Sequence, residues 1–305
     1  MEEVTFEGFT NLGQVASNTS HPIHRGLVRD WTLMEKMWEN IRDTANLHDL
    51  DGTSVMLIES ILTGATDNLK WAELLFETAK APSICISSSP PLSVYASGRT
   101  CGLAVEFGAG LTSVVPVFEG FSLKHAVVTA NFGGQDISAS LKKLFGTKNV
   151  QIDLNSAKIV KEKLAFVKGF SSRDMHQTTH EQMTFCLPDG NDVTIETRIF
   201  RDCADPLFVP GKPSNTPNHV NYENIDIVSN IHESIVLCDE SVRKDLSQNI
   251  IISGGTSLLP GRLIITVYKL SNNFMMDSND IYIFITFLML SLHMHFAHCC
   301  LIRSG

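Results

Sequence analysis

An acid and two glycines, Glu106, Gly108 and Gly110, sit between two apolar runs in the stretch VEFGAGLTSVVPVFEG. The runs, residues 102–107 and 111–119, read as paired strands, so the glycines belong to a β-hairpin turn and not to a strand feeding a helix. That excludes the dinucleotide-binding and P-loop fingerprints, whose glycines open a helix. A glycine turn between strands can still hold a phosphate through exposed backbone amides. The alternative is a turn whose glycines only satisfy backbone geometry. A second glycine pair, Gly254 and Gly255, follows the apolar run NIIIS, where the lack of a Cβ would let a flat ligand lie on the backbone. A third cluster, His293, His295, His298, Cys299 and Cys300, has zinc-ligand chemistry but crowds five candidates into eight residues with no second ligand pair elsewhere.

The elements that must position these residues alternate between strand and helix periods. Residues 26–41 carry apolar side chains at Trp31, Met34, Met37, Trp38 and Ile41, a helical spacing with Asp30 as its N-cap. Residues 54–60 and 83–88 read as short strands. Between them, residues 68–79 form an amphipathic helix with Leu69, Ala72, Leu75, Phe76 and Ala79 on one face. Ser89 is placed to cap a helix opened by Pro90 and Pro91. Residues 133–145 and 155–167 are helical, the second capped by Asn155. A second hairpin turns at Pro188, Asp189 and Gly190, and residues 206–217, with four prolines, form a loop.

Composition narrows the function classes. The chain has 305 residues, 43% of them hydrophobic and 19% charged, enough apolar material for two cores. A net charge of -9 leaves no basic surplus to release counterions from a nucleic acid, so direct nucleic-acid binding is not expected. The seven cysteines show no C-x-x-C spacing and the first residues have no signal-peptide pattern, which points to reduced thiols inside the cell. Residues 281–301 are long and apolar enough to cross a bilayer, but their histidines and cysteines favour a tail that does not belong with the rest of the chain, and a membrane partner is not expected.

Six stretches in order resemble the actin and actin-related protein family: HPIHRGLVRDWTLMEKMWE, LSVYASGRTCGLAVEFGAGLTSVVPVFEGFSLKHAV, GGQDIS, IVKEKLAFV, LPDGNDVTI and VRKDLSQNIIISGGTSLLPG. The resemblance covers residues 21–261 and implies an α/β, actin-like two-lobed ATPase fold, shared with sugar kinases and heat-shock chaperones, with a nucleotide cleft closed by hinge motion. It divides the chain into a non-matching segment 1–20, a remnant of the first lobe 21–96, the second lobe 97–261 with its outer part at about 133–221, and an apolar tail 262–305 outside the family pattern. The family's first phosphate loop has no counterpart in the twenty residues before His21. The first lobe is therefore expected to be incomplete, as in a shortened member or a piece of a longer chain.

By the same resemblance, Glu106, Gly108 and Gly110 match the second phosphate loop, Lys161 and Glu162 the helix that contacts adenosine, and Gly254, Gly255 and Thr256 the turn against adenine and phosphates. The implied cofactor is ATP or ADP with magnesium, weakly held or lost, with Glu106 as the metal-side acid. No catalytic residue is expected. Ala109 stands where the family has a second aspartate, Ser89 where it has a water-positioning glutamine, and Ser113 where it has a nearby histidine. Losing a positioned water and a metal-organising charge slows phosphoryl transfer by orders of magnitude. The expectation is a cytoskeletal or complex-scaffolding protein that is at most a residual ATPase, partnered by actin or a multi-subunit complex, in the cytoplasm and cytoskeleton or in a nuclear chromatin complex. The alternative is a slow ATPase using Glu106.

Overall fold

In the computed structural model the described residues are 21–44, 54–167, 182–187, 192–204, 227–261, 282–286 and 300–302. The expectations for residues 1–20, for the turn at 188–190, for the proline loop 206–217 and for His293, His295, His298 and Cys299 lie outside them.

The N-terminal elements are a small hairpin of β1 (Ile23–His24) and β2 (Leu27–Val28), helix α1 (Trp31–Thr44), strand β3 (Val55–Glu59), helix α2 (Ala65–Glu73) and strand β4 (Ile84–Ser88). Arg25 and Gly26 form the turn of the hairpin with φ of 51° and 77°, the left-handed pair that a two-residue hairpin turn needs. Asp30 caps α1 as expected, accepting from the N–H of Leu33 at 2.9 Å. Strands β3 and β4 pair in parallel, Val55 opposite Ile84 through Glu59 opposite Ser88.

Helix α2 runs on through a π-turn at Leu74–Thr78, and the face it buries differs from the expected one. Trp71, Leu74, Leu75 and Ala79 are buried, whereas Leu69 is 71% and Phe76 48% exposed. The reason is the indole pair: Trp31 of α1 meets Trp71 edge to face at 5.3 Å, and the larger ring sets which side of α2 faces inward. The extra residue of the π-turn then carries Phe76 outward.

Helix α3 (Ser89–Ala96) leads from β4 into the main sheet. Its N-cap is Ser88 and not Ser89, because the Ser89 hydroxyl is turned to a carboxylate described below. The sheet comprises β5 (Gly102–Phe107), β6 (Thr112–Phe118), β7 (Phe121–Ser122), β8 (Val128–Ala130), β11 (Asn249–Ser253), β12 (Tyr282–Thr286) and β13 (Cys300–Ile302). Its order is β13-β12-β11-β5-β6-β7, with β8 also on β6. The expected hairpin is the antiparallel pair β5–β6, and β11 lies parallel to β5 with Ser253 opposite Glu106. The apolar stretch 281–301, read from sequence as a tail foreign to the chain, contributes β12, which lies parallel to β11. Among the described residues no helix is long and apolar enough to cross a membrane.

Both faces of this sheet are covered, which is why β5 and β11 read as continuous apolar runs. On one face Leu103, Val105, Ile250 and Ile252 pack with Ile137 and Leu141 of α4 (Gly134–Gly146), Val160 of α5 (Leu154–Leu164) and Ile231 of α7 (Ile227–Val236). On the other, Ala104, Val115 and Ile251 pack against Val94 of α3. The hairpin of β9 (Gln182–Cys186) and β10 (Asp192–Glu196) joins the larger core through edge-to-face contacts of Phe145 and Phe185 with each other and with Phe200 of α6 (Arg198–Asp202). Helix α5 is capped by Asp153, which accepts from the N–H groups of Ser156 and Asn155, so the expected cap Asn155 is already inside the helix. Helix α8 (Glu240–Gln248) precedes β11.

Candidate functional site

The turn between β5 and β6 is built so that its carbonyls are all committed. Gly108 O accepts from Gly134 N–H at 3.0 Å and from the Thr256 hydroxyl at 3.1 Å, and Ala109 O accepts from Gln135 N–H at 2.7 Å. Gly110 O accepts from the Arg25 guanidinium at 2.8 Å. The N-terminal amides of α4 are thus spent on the turn and are not left for an anion. No hydrogen-bond partner is found among the described residues for the N–H groups of Ala109, Gly110 and Leu111. Three consecutive turn residues with unbonded N–H groups are candidate donors to an anion.

These residues line a cleft of about 410 Å³ between the N-terminal elements and the main sheet. Arg25, Gly26 and Ser60 line it from one side, and Ser89, Glu106 and Ser113 from the other. Arg25 holds the two sides together. Its guanidinium pairs with both oxygens of Asp136 at 2.5 and 2.7 Å, and Asp136 Oδ2 also accepts from Gly133 N–H at 2.8 Å.

Glu106 lies at the cleft on β5, with its carboxylate surrounded by serine hydroxyls. Ser89 Oγ donates to Oε2 at 2.7 Å and Ser93 Oγ to Oε1 at 3.1 Å, with Ser253 Oγ 3.4 Å from Ser93 Oγ. Burial pushes its pKa above the ordinary carboxylate value, and the hydroxyl bonds oppose that shift without cancelling it. The other acid beside the turn, Asp136, is spent on Arg25, and Ala109 offers a methyl group. Among the described residues there is no cluster of three or more histidines, cysteines or acids able to hold a metal. Glu106 is the one carboxylate lining the cleft among the described residues, and its oxygens already accept serine hydroxyls, so the donor set is poor for a hard divalent cation, which on a nucleotide is held by one or two carboxylates and their bound waters.

Of the residues singled out in the sequence, the structure brings Glu106, Gly108, Gly110, Lys161, Gly254 and Thr256 around this turn. Gly254 has φ of 92°, and a Cβ there would lie 2.3 Å from the Phe107 carbonyl oxygen, so only glycine lets β11 end against the turn. Lys161 of α5 is buried and donates to Gly134 O at 3.2 Å. Burial lowers its pKa, and neighbouring Glu162 works against that shift. Lys161, Gly254 and Thr256 reach the turn without lining the cleft. Gly255 and Glu162 are exposed, and no contact ties Glu162 to the turn.

Sequence reasoning misses Arg25, Asp136, Ser93 and Ser253. Arg25 and Asp136 are separated by 111 residues, and nothing local marks them as partners. The alternating pair Ile23-His24 and Leu27-Val28 around Arg25-Gly26 is the signal for the hairpin turn that aims the guanidinium. A family model described as Actin matches the chain over residues 8–160 and 153–264.

Proposed function

The chain belongs to the actin family, and from that premise we propose that it is a nucleotide-binding scaffold that holds ATP or ADP at the β5–β6 turn and hydrolyses ATP little if at all. The observation that carries this reading is the turn itself, with its three carbonyls tied outward by Gly134, Gln135, Thr256 and Arg25 and its three amides left as donors at a cleft. A polyphosphate placed on amides Ala109, Gly110 and Leu111 exchanges water for pre-positioned N–H groups that need no reorganisation. Lys161, Gly254 and Thr256 support the turn from behind.

Little hydrolysis follows from the side chains at the cleft. A water attacking a terminal phosphate needs a group to orient it and draw its proton. Ser89, which stands where the family has the orienting glutamine, has its hydroxyl turned to Glu106, and Ser113 is 3% exposed. Both line the cleft, but neither extends into it as far as a longer amide or imidazole would. The protein then works by contacts with other proteins, as a cytoskeletal or complex-forming component, with nucleotide setting the state of the cleft. Calorimetric titration with ATP and phosphate release on the same sample test this. The reading requires saturable binding with release no faster than the buffer control; absence of binding, or turnover approaching that of a working ATPase, contradicts it.

A further inference from the structure

The one acid lining the cleft among the described residues, Glu106, and the acid beside it, Asp136, are already hydrogen-bonded, and this bears on the form in which nucleotide enters. Each oxygen of Glu106 receives a serine hydroxyl, from Ser89 at 2.7 Å and from Ser93 at 3.1 Å. Asp136 gives both oxygens to Arg25, and one of them also to Gly133 N–H. Position 109, at the tip of the turn, is an exposed alanine. Magnesium keeps most of its water shell and needs acceptors placed to hold those waters. A second full charge on this wall of the cleft is what would supply them, and none is present among the described residues. Arg25 also lines the cleft, with its charge matched by Asp136, so it adds no acceptor for a dication or its waters.

We infer that the cleft takes the polyphosphate of its nucleotide as the free anion, without a divalent cation, using the amides of Ala109, Gly110 and Leu111 as its donors. This rests on the proposed nucleotide binding at the same turn and adds the chemical form of the ligand. Amide donors are neutral and fixed, so they bind an anion without a change in protonation. Free nucleotide and not its magnesium complex is then the species recognised. Magnesium in the buffer competes for the ligand rather than assisting it.

The experiment is calorimetric titration of the full chain with ATP in EDTA and, separately, in excess magnesium, beside a titration with magnesium alone. The expected result is binding in EDTA at least as tight as in magnesium and no heat from magnesium alone. Binding tenfold or more tighter in magnesium overturns the inference and leaves the nucleotide reading standing. No binding under either condition overturns both. The variant Ala109→Asp supplies the missing acid at an exposed position, where folding is not at stake. It is expected to make ATP binding tighten at least tenfold on adding magnesium, and a variant as indifferent to the metal as the parent chain overturns the assignment of position 109 as the place where the cation site was lost.

Discussion

Arg25 and Asp136 form a bidentate ion pair with N···O distances of 2.5 and 2.7 Å across 111 residues of sequence, and the same guanidinium holds the carbonyl of Gly110. The side chains are 19% and 10% exposed, so the pair is little screened by solvent. It joins the N-terminal hairpin to both the β5–β6 turn and the first turn of α4. Removing one member leaves the other partly buried and unpaired, which costs more than the pair itself contributes. Arg25→Ala is expected to lower stability by about 2 kcal/mol in urea denaturation. A loss under about 0.5 kcal/mol, typical of a surface pair, contradicts the description of this pair as a clamp.

Gly254 separates backbone conformation from ligand chemistry. Its φ is 92°, and a methyl group on its Cα would lie 2.3 Å from the Phe107 carbonyl oxygen, which leaves no room for a side chain. Gly254→Ala is expected to cost about 1–3 kcal/mol through backbone strain and to weaken ATP binding, because β11 must shift away from the turn. Gly255, exposed and with open space where a Cβ would sit, serves as the control. Gly255→Ala is expected to change thermal stability little, and the two variants are compared by thermal midpoint and by ATP titration.

The capping of α5 gives a direct check on a local correction. Asp153 accepts from two amides of the first turn, and hydrogen bonds from Ser156 and Asn155 hold its carboxylate below the usual pKa. Asp153→Ala is expected to cost about 1 kcal/mol, and Asn155→Ala, further into the helix, close to nothing. Equal costs measured by denaturation contradict the placement of the cap.

Glu106 makes stability depend on pH in a defined direction. Its folded pKa lies above its ordinary value, so the folded state holds the proton more tightly than the unfolded chain. The contribution is fully present below pH 4.5, the ordinary value, and is lost as pH rises through the raised folded pKa. Glu106→Gln, which mimics the protonated carboxyl, is expected to keep its stability across that window while the parent loses some. Glu59 shifts in the same direction for the same reason, burial, so the comparison is made on the difference between the two proteins at each pH. Parallel pH profiles for parent and variant contradict a Glu106 whose folded pKa is raised.

The parts of this fold legible in the sequence are those set by local periodicity. The β5–β6 hairpin, the cap at Asp30 and helices α4 and α5 follow from alternation, helical spacing and single residues. The turn at Gly108 and Gly110, the end of β11 at Gly254, and Lys161 and Thr256 come from a family resemblance spread over separated stretches, since two glycines alone do not distinguish a phosphate cradle from a plain turn. What stays hidden depends on contacts between distant segments. No window of sequence pairs Arg25 with Asp136, or gathers Ser89, Ser93 and Ser253 around Glu106. Periodicity misassigns the buried face of α2 because Trp31 on another helix selects Trp71. The strand at Tyr282–Thr286 escapes detection because an apolar run of that length fits a helix or a strand equally until its neighbour β11 is in place.

Whether the amides of Ala109, Gly110 and Leu111 hold the nucleotide's phosphates is read most directly from amide hydrogen exchange resolved at these three residues. With ATP added at about one hundred times its dissociation constant, exchange at all three amides is expected to slow at least tenfold, while the Gly108 amide, already bonded to Leu111 O at 2.9 Å, changes little. Unchanged exchange at residues 109–111 in a sample shown to bind ATP would place the nucleotide elsewhere and contradict the proposed site.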